Sequence, residues 1–143
     1  MKSLSFYLIF SAAIILTLSC ESPRNAHSME AQFDDIYIEQ FKLTYFRQLL
    51  RKSYNNSNAI REVIQNDYSG FTEPILGEED FTIIDSLTTI DNQRLVADST
   101  NGRLRAEGAQ GKRALGYIME KLSSRWLDNL ARQRLKVNRI SGH

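Results

Sequence analysis

Two histidines, one cysteine and a few clustered carboxylates are all that this 143-residue chain offers for chemistry. Catalysis requires groups that share a proton, hold a metal or attack a substrate. His27 stands in a polar stretch and His143 is the last residue, so both read as solvated side chains. A single thiol, Cys20, excludes Cys/His zinc sites and paired-thiol chemistry. Glu78-Glu79-Asp80 could pair for acid–base work, but acidic residues also suit the positive end of a starting helix. Gly108 to Arg113 shares glycines and a lysine with a phosphate loop. It fails as one, because position 106 is Ala, Arg113 replaces the magnesium-reaching hydroxyl, and no strand precedes it. In Asp98-Ser99-Thr100-Asn101-Gly102 the glycine comes one place too early for a calcium loop, and no closing glutamate follows. No catalytic residue, metal or cofactor is expected, and the chain does not read as an enzyme.

Cys20 has a different use. Met1-Lys2-Ser3 gives a cationic start, Leu4 to Leu18 an apolar run, and Ser19 a small residue before the cysteine. These are the parts of a secretory signal. The run is shorter than the roughly 20 residues that span a bilayer's hydrocarbon core. It stops abruptly at Glu21-Ser22-Pro23-Arg24. A lone cysteine in an exported chain has no disulfide partner, so its thiol calls for another role.

Thr17-Leu18-Ser19-Cys20 resembles the lipobox of bacterial lipoproteins, in the looser form ending in Ser-Cys that is common in Bacteroidota. The resemblance covers about twenty residues. It implies cleavage before Cys20 and two or three acyl chains, palmitate among them, carried by that residue. Stable anchoring takes two or more chains, because each buried methylene contributes about 0.8 kcal/mol and a single chain holds only marginally. The expected organisation is a signal peptide over 1–19, a lipidated polar tether over 20–32 and one helical domain over 33–140. Glu21 is a single acid and not the acidic run of surface-displayed lipoproteins, which favours an outer-membrane anchor facing the periplasm.

The 124 residues after the leader suffice for one core. Apolar spacing predicts an all-α fold, a small bundle of about four helices. Residues 33–54 hold Phe33, Ile36, Tyr37, Phe41, Leu43, Tyr45, Phe46, Leu49 and Leu50, spread around a helix buried on several sides. Residues 59–68 place Ile60, Val63, Ile64 and Tyr68 on one stripe, capped by Ser57 or Asn58 and closed by Gly70. A helix from 78 to about 98 would group Ile83, Ile84, Leu87 and Ile90, although the β-branched residues of 81–90 would also suit a strand. After a turn at Asn101-Gly102, Leu104, Gly108, Gly111, Leu115, Ile118, Met119, Leu122, Trp126 and Leu130 form one stripe. That pattern predicts one long helix, or two nearly collinear ones broken near Ser123-Ser124, with a flexible break before Gly111 as the competing reading and with Trp126 and Met119 in the core or lining a pocket.

Charge is lopsided. Cys20 to Gly102 holds seven Lys and Arg against fourteen Asp and Glu, net −7; Arg103 to His143 holds ten against three, net +7. Either the two fields cancel within the domain, or the basic tail beyond Leu130 faces anionic headgroups or an acidic partner. Export leaves no nucleic acid to bind. Phe71, Ile75 and Leu76, apolar residues in a loop, either cover a bundle end or meet a partner. Asp85-Ser86-Leu87 and Asp98-Ser99-Thr100 resemble the O-glycosylation sequon of Bacteroidota, which implies Ser86 and Ser99 as acceptors.

The order of short elements is similar to that of the small helical immunity proteins that neutralise amidase toxins of type VI secretion. The elements are Tyr45-Phe46, Asp67-Tyr68-Ser69-Gly70, Asp85-Ser86-Leu87, Asp98-Ser99, Gly111-Lys112 and Leu127-Asp128-Asn129-Leu130-Ala131. The resemblance implies a toxin as partner. The other expectation for such a domain is a structural or accessory lipoprotein of an envelope secretion or conjugation machine.

Overall fold

A computed structural model describes residues 23–101 and 111–141. The leader, Cys20, Leu104, Gly108 and His143 lie outside the described residues. Within them the fold is all-α, with five helices: α1 Pro23–Ser53, α2 Asn58–Gln65, α3 Glu78–Asn101, α4 Ala114–Leu122 and α5 Arg125–Ser141. The chain divides into two units, Met1–Phe33 and Asp34–His143. The described part of the first is the start of α1. Everything below concerns the second.

α1 begins at Pro23, within the stretch expected to be a tether. Proline suits the first helical position, where its missing N–H would have no partner, and no glycine follows before Ser53. Tyr37, Phe41, Tyr45 and Leu49 recur every four residues and are essentially fully buried, with Ile38 and Leu50 beside them. The Tyr37 and Phe41 rings stack at 6.4 Å between centroids. Asn55 and Asn56, both at positive φ, turn the chain into α2. Asparagine is the L-residue that visits this region at least cost.

α2 ends at Gln65, earlier than the expected Tyr68, and none of its residues is fully buried. Asp67 explains the early stop: its Oδ1 accepts from the Ser69 backbone N–H (3.0 Å) and hydroxyl (2.6 Å), which closes a turn in place of another helical step. Tyr68, expected on the apolar stripe, is therefore almost fully exposed.

The 81–90 segment is helix throughout. Its threonines are accommodated because the hydroxyls of Thr82, Thr88 and Thr89 donate to the carbonyl four residues back, at 2.8–3.0 Å. The buried stripe is Asp80, Ile84, Thr88, Asp91 and Leu95. Ile90 is exposed instead. Three of these five core-facing residues are polar.

The single stripe from 104 to 130 is corrected. Gly111 has a φ of +117° and lies outside any helix. The Ser124 hydroxyl accepts from the Leu127 N–H, so a new helix starts at Arg125. These two breaks reset the helical phase. Ala114, Ile118, Leu127, Ala131 and Leu135 face the core, while Leu115, Met119 and Trp126 are exposed. Among the described residues no helix is long and apolar enough to cross a membrane.

Candidate functional site: buried carboxylates and a surface groove

Asp80 and Asp91, one at each end of the polar stripe on α3, are the two buried carboxylates. Asp80 is the third residue of its helix and reaches back to the Gly77 N–H (3.0 Å), half of a capping box. Its Oδ1 accepts from Arg134 Nε (2.8 Å) and its Oδ2 from Asn138 Nδ2 (2.7 Å). The Tyr37 hydroxyl also hydrogen-bonds to it and accepts from Asn138 Nδ2 at 2.9 Å. Arg134 continues to Glu79 at 3.0 Å.

Asp91 receives the Tyr45 hydroxyl on Oδ2 and the Tyr117 hydroxyl on Oδ1 at 2.6 Å. Lys121 Nζ and Arg94 each stand 3.3 Å from Oδ1. Lys121 also lies over the rings of Tyr117 (5.3 Å) and Trp126 (4.8 Å), an arrangement in which the ring faces attract the ammonium.

These contacts set the protonation states. Burial pushes the Asp91 carboxyl up, but hydrogen bonds from Tyr117 and Tyr45 and the Lys121 charge outweigh it and hold the group below the ordinary carboxylate range. Asp80 behaves alike: burial opposes ionisation, and Arg134, Asn138 and the Gly77 N–H more than compensate. Burial and the neighbouring carboxylate push the Tyr117 phenol up to about 12 and raise Tyr45 and Tyr37 further. An ionised carboxylate has about four acceptor sites. Each aspartate meets four internal donors; on Asp91 three of them, Tyr117, Lys121 and Arg94, share Oδ1, and Tyr45 takes Oδ2. Glu78 is exposed at the helix start. Among the described residues no group of three or more His, Cys, Asp or Glu could hold a metal ion.

What the surface offers is a groove of about 310 Å³. One face of α1 supplies Gln40, Thr44, Arg47, Gln48 and Arg51; the loop after α2 supplies Pro74, Ile75 and Leu76; α3 supplies Phe81. The loop has no regular structure, yet it is held firmly against α1. Arg47 donates to Asp67 Oδ2 (2.8 Å), to the Asp67 carbonyl (3.2 Å) and to the Ser69 carbonyl (2.7 Å). With Ser69 and then Arg47 bonding its carboxylate, Asp67 is held at a pKa of about 2. Gln40 Oε1 accepts from the Phe71 N–H at 3.1 Å. Between them Gly70 sits at φ +98°, where a Cβ would come within 2.7 Å of Gln40 Oε1 and of Leu43 Cδ2. Only glycine fits that crossing.

Of the three loop residues singled out by sequence, Leu76 is buried in the core, Ile75 is half-buried against it, and Phe71 is exposed. Ile75 and Leu76 line the groove, and Phe71 is tied to its Gln40 wall. Arg47, Arg51 and Phe81 went unmarked in the sequence, since nothing local says that α1 faces a loop thirty residues on. Ser86 is exposed on α3 with its hydroxyl on the Thr82 carbonyl (2.9 Å); half-buried Ser99 bonds the Val96 carbonyl (2.8 Å). Trp126, with Leu87, Ile90, Arg94, Lys121 and the Asp91 carboxylate itself, borders a second groove of about 300 Å³.

The chain matches no protein-family model, no curated protein and no solved structure.

Proposed function

We propose that the protein is a lipid-anchored periplasmic binding domain that neutralises a secreted toxin, held at the outer membrane through Cys20. One observation carries the binding role. The buried carboxylates are engaged by internal donors, whereas the loop pinned by Arg47 presents a ready-made groove with exposed aromatics beside it. A loop held in place before binding loses little conformational entropy when a partner arrives. Aromatic and arginine side chains are the usual anchors of protein interfaces.

Part of the basic segment is matched inside the fold. Arg134 pairs with Asp80 and Glu79, Arg139 with Asp34, and Lys121 with Asp91, while Arg132 pairs with Asp128 of the same segment. The acidic and basic parts of the chain meet across α1, α3, α4 and α5, which supports the reading in which the two fields partly cancel within the domain.

The test is co-expression. The toxin encoded beside this gene, directed to the periplasm, should kill cells, and this protein should restore growth when supplied with it. A neighbouring toxin whose lethality is unchanged removes the immunity role.

A further inference from the structure

Charge around the α1–loop groove is one-sided. Among the described residues, the charged ones that line it are Arg47 and Arg51 and no carboxylate does, although Glu73 stands next to Pro74 in the loop. Arg47 is spent on Asp67 and the loop carbonyls. Arg51 is exposed, one helical turn further along the same face, and pairs with no carboxylate among the described residues. Opposite these cations stand Pro74, Ile75 and the half-exposed ring of Phe81. Gln40, Thr44 and Gln48 add neutral hydrogen-bonding groups along the α1 wall.

Resting on the protein-binding reading, we propose that the groove docks an acidic segment of the partner protein, with one aliphatic or aromatic side chain seated against Ile75 and Phe81 and a carboxylate on Arg51. Arginine suits this role because its planar fork can hold a carboxylate through two hydrogen bonds. Phe71 and Tyr68, both exposed on the same loop, offer further apolar area to a partner.

The probe is a set of short fluorescent peptides offered to the full chain in neutral detergent. One is rich in Asp and Glu around a single Phe. A second carries Lys in place of the acids, and a third carries Ala in place of the Phe. The acidic peptide with Phe should bind best. Arg51→Glu should weaken it about tenfold or more, equivalent to about 1.4 kcal/mol. Phe81→Ala should weaken it too, with the helical circular dichroism of both variants intact. Binding should fade near 1 M salt, where the screening length is about 3 Å. Equal binding of the basic peptide, or no effect of Arg51→Glu, overturns the proposal. So does stronger competition from phosphatidylglycerol than from phosphatidylcholine, each added as mixed micelles with the same detergent, which would assign the groove to a lipid surface. Toxin rescue separates the two levels. Acidic-peptide binding without rescue supports the groove and counts against the immunity role, whereas full rescue by Arg51→Glu overturns the groove assignment alone.

Discussion

Asp91→Ala should destabilise the domain by about 3–5 kcal/mol, the usual cost of removing one partner from a buried ion pair. Against a typical domain stability of about 5–15 kcal/mol, that is enough to unfold much of the population in mild denaturant. The size follows from what is left behind. Without the carboxylate, the hydroxyls of Tyr45 and Tyr117 and the Lys121 ammonium lose a common acceptor at a site only 2 % exposed. The three groups come from α1 and α4, so α3 also loses its polar link to both. Tyr45→Phe should cost less, about 1.5–3 kcal/mol, because it removes one hydrogen bond to a charged group and keeps the ring in the core. Urea unfolding followed by circular dichroism reads both. An Asp91→Ala cost below that of Tyr45→Phe would mean that the carboxylate does not organise this cluster.

At the other end of α3, Asp80→Ala should be comparably damaging, since it strips Arg134 of its buried partner and leaves the Gly77 N–H uncapped. A second change discriminates charge from packing. Adding Arg134→Met to Asp80→Ala should recover part of the loss, because an apolar pair of similar volume often replaces a buried ion pair without penalty.

The same aspartates set the pH dependence. Both have folded pKa values held below the ordinary 3.8. Their contribution is therefore complete above that value and is lost as pH falls through the lower folded values, where the unfolded chain takes up protons first. Tyr117 works in the opposite direction. Its pKa is raised from 10.0 to about 12, so its contribution is complete below 10 and disappears as pH climbs toward 12. Midpoints of urea unfolding should stay flat through neutrality, with an acid limb that becomes shallower in Asp80→Ala.

Much of the helical layout was legible in the sequence, for identifiable reasons. The aromatic repeat at 37, 41 and 45 fixes α1, and Glu78-Glu79-Asp80 marks the start of α3. The polar interior was not legible. Asp80 reads locally as one of three solvated acids, and its partner Arg134 lies 54 residues away. One signal was available: Asp80, Ile84, Thr88, Asp91 and Leu95 share one helical phase, so the aspartates stand on the core face whatever their polarity. Buried tyrosines on α1 then supply hydroxyls that need acceptors. The C-terminal stripe failed for a related reason. Gly111 was counted on a continuous helical stripe although it sits at positive φ, while the expected alternative of a break near Ser123-Ser124 is where Ser124 caps a new helix. The loop groove stayed hidden because Arg47 and Gln40 reach it across 20 and 31 residues.

The proposed tether at Cys20, which would turn a small helical body into an envelope protein, is tested most directly by the mass of the native amino-terminal peptide. The expected peptide starts at Cys20 and carries a diacylglyceryl thioether and an additional acyl chain. A peptide that still bears the leader, with an unmodified thiol at residue 20, would contradict both the anchor and the periplasmic binding role built on it.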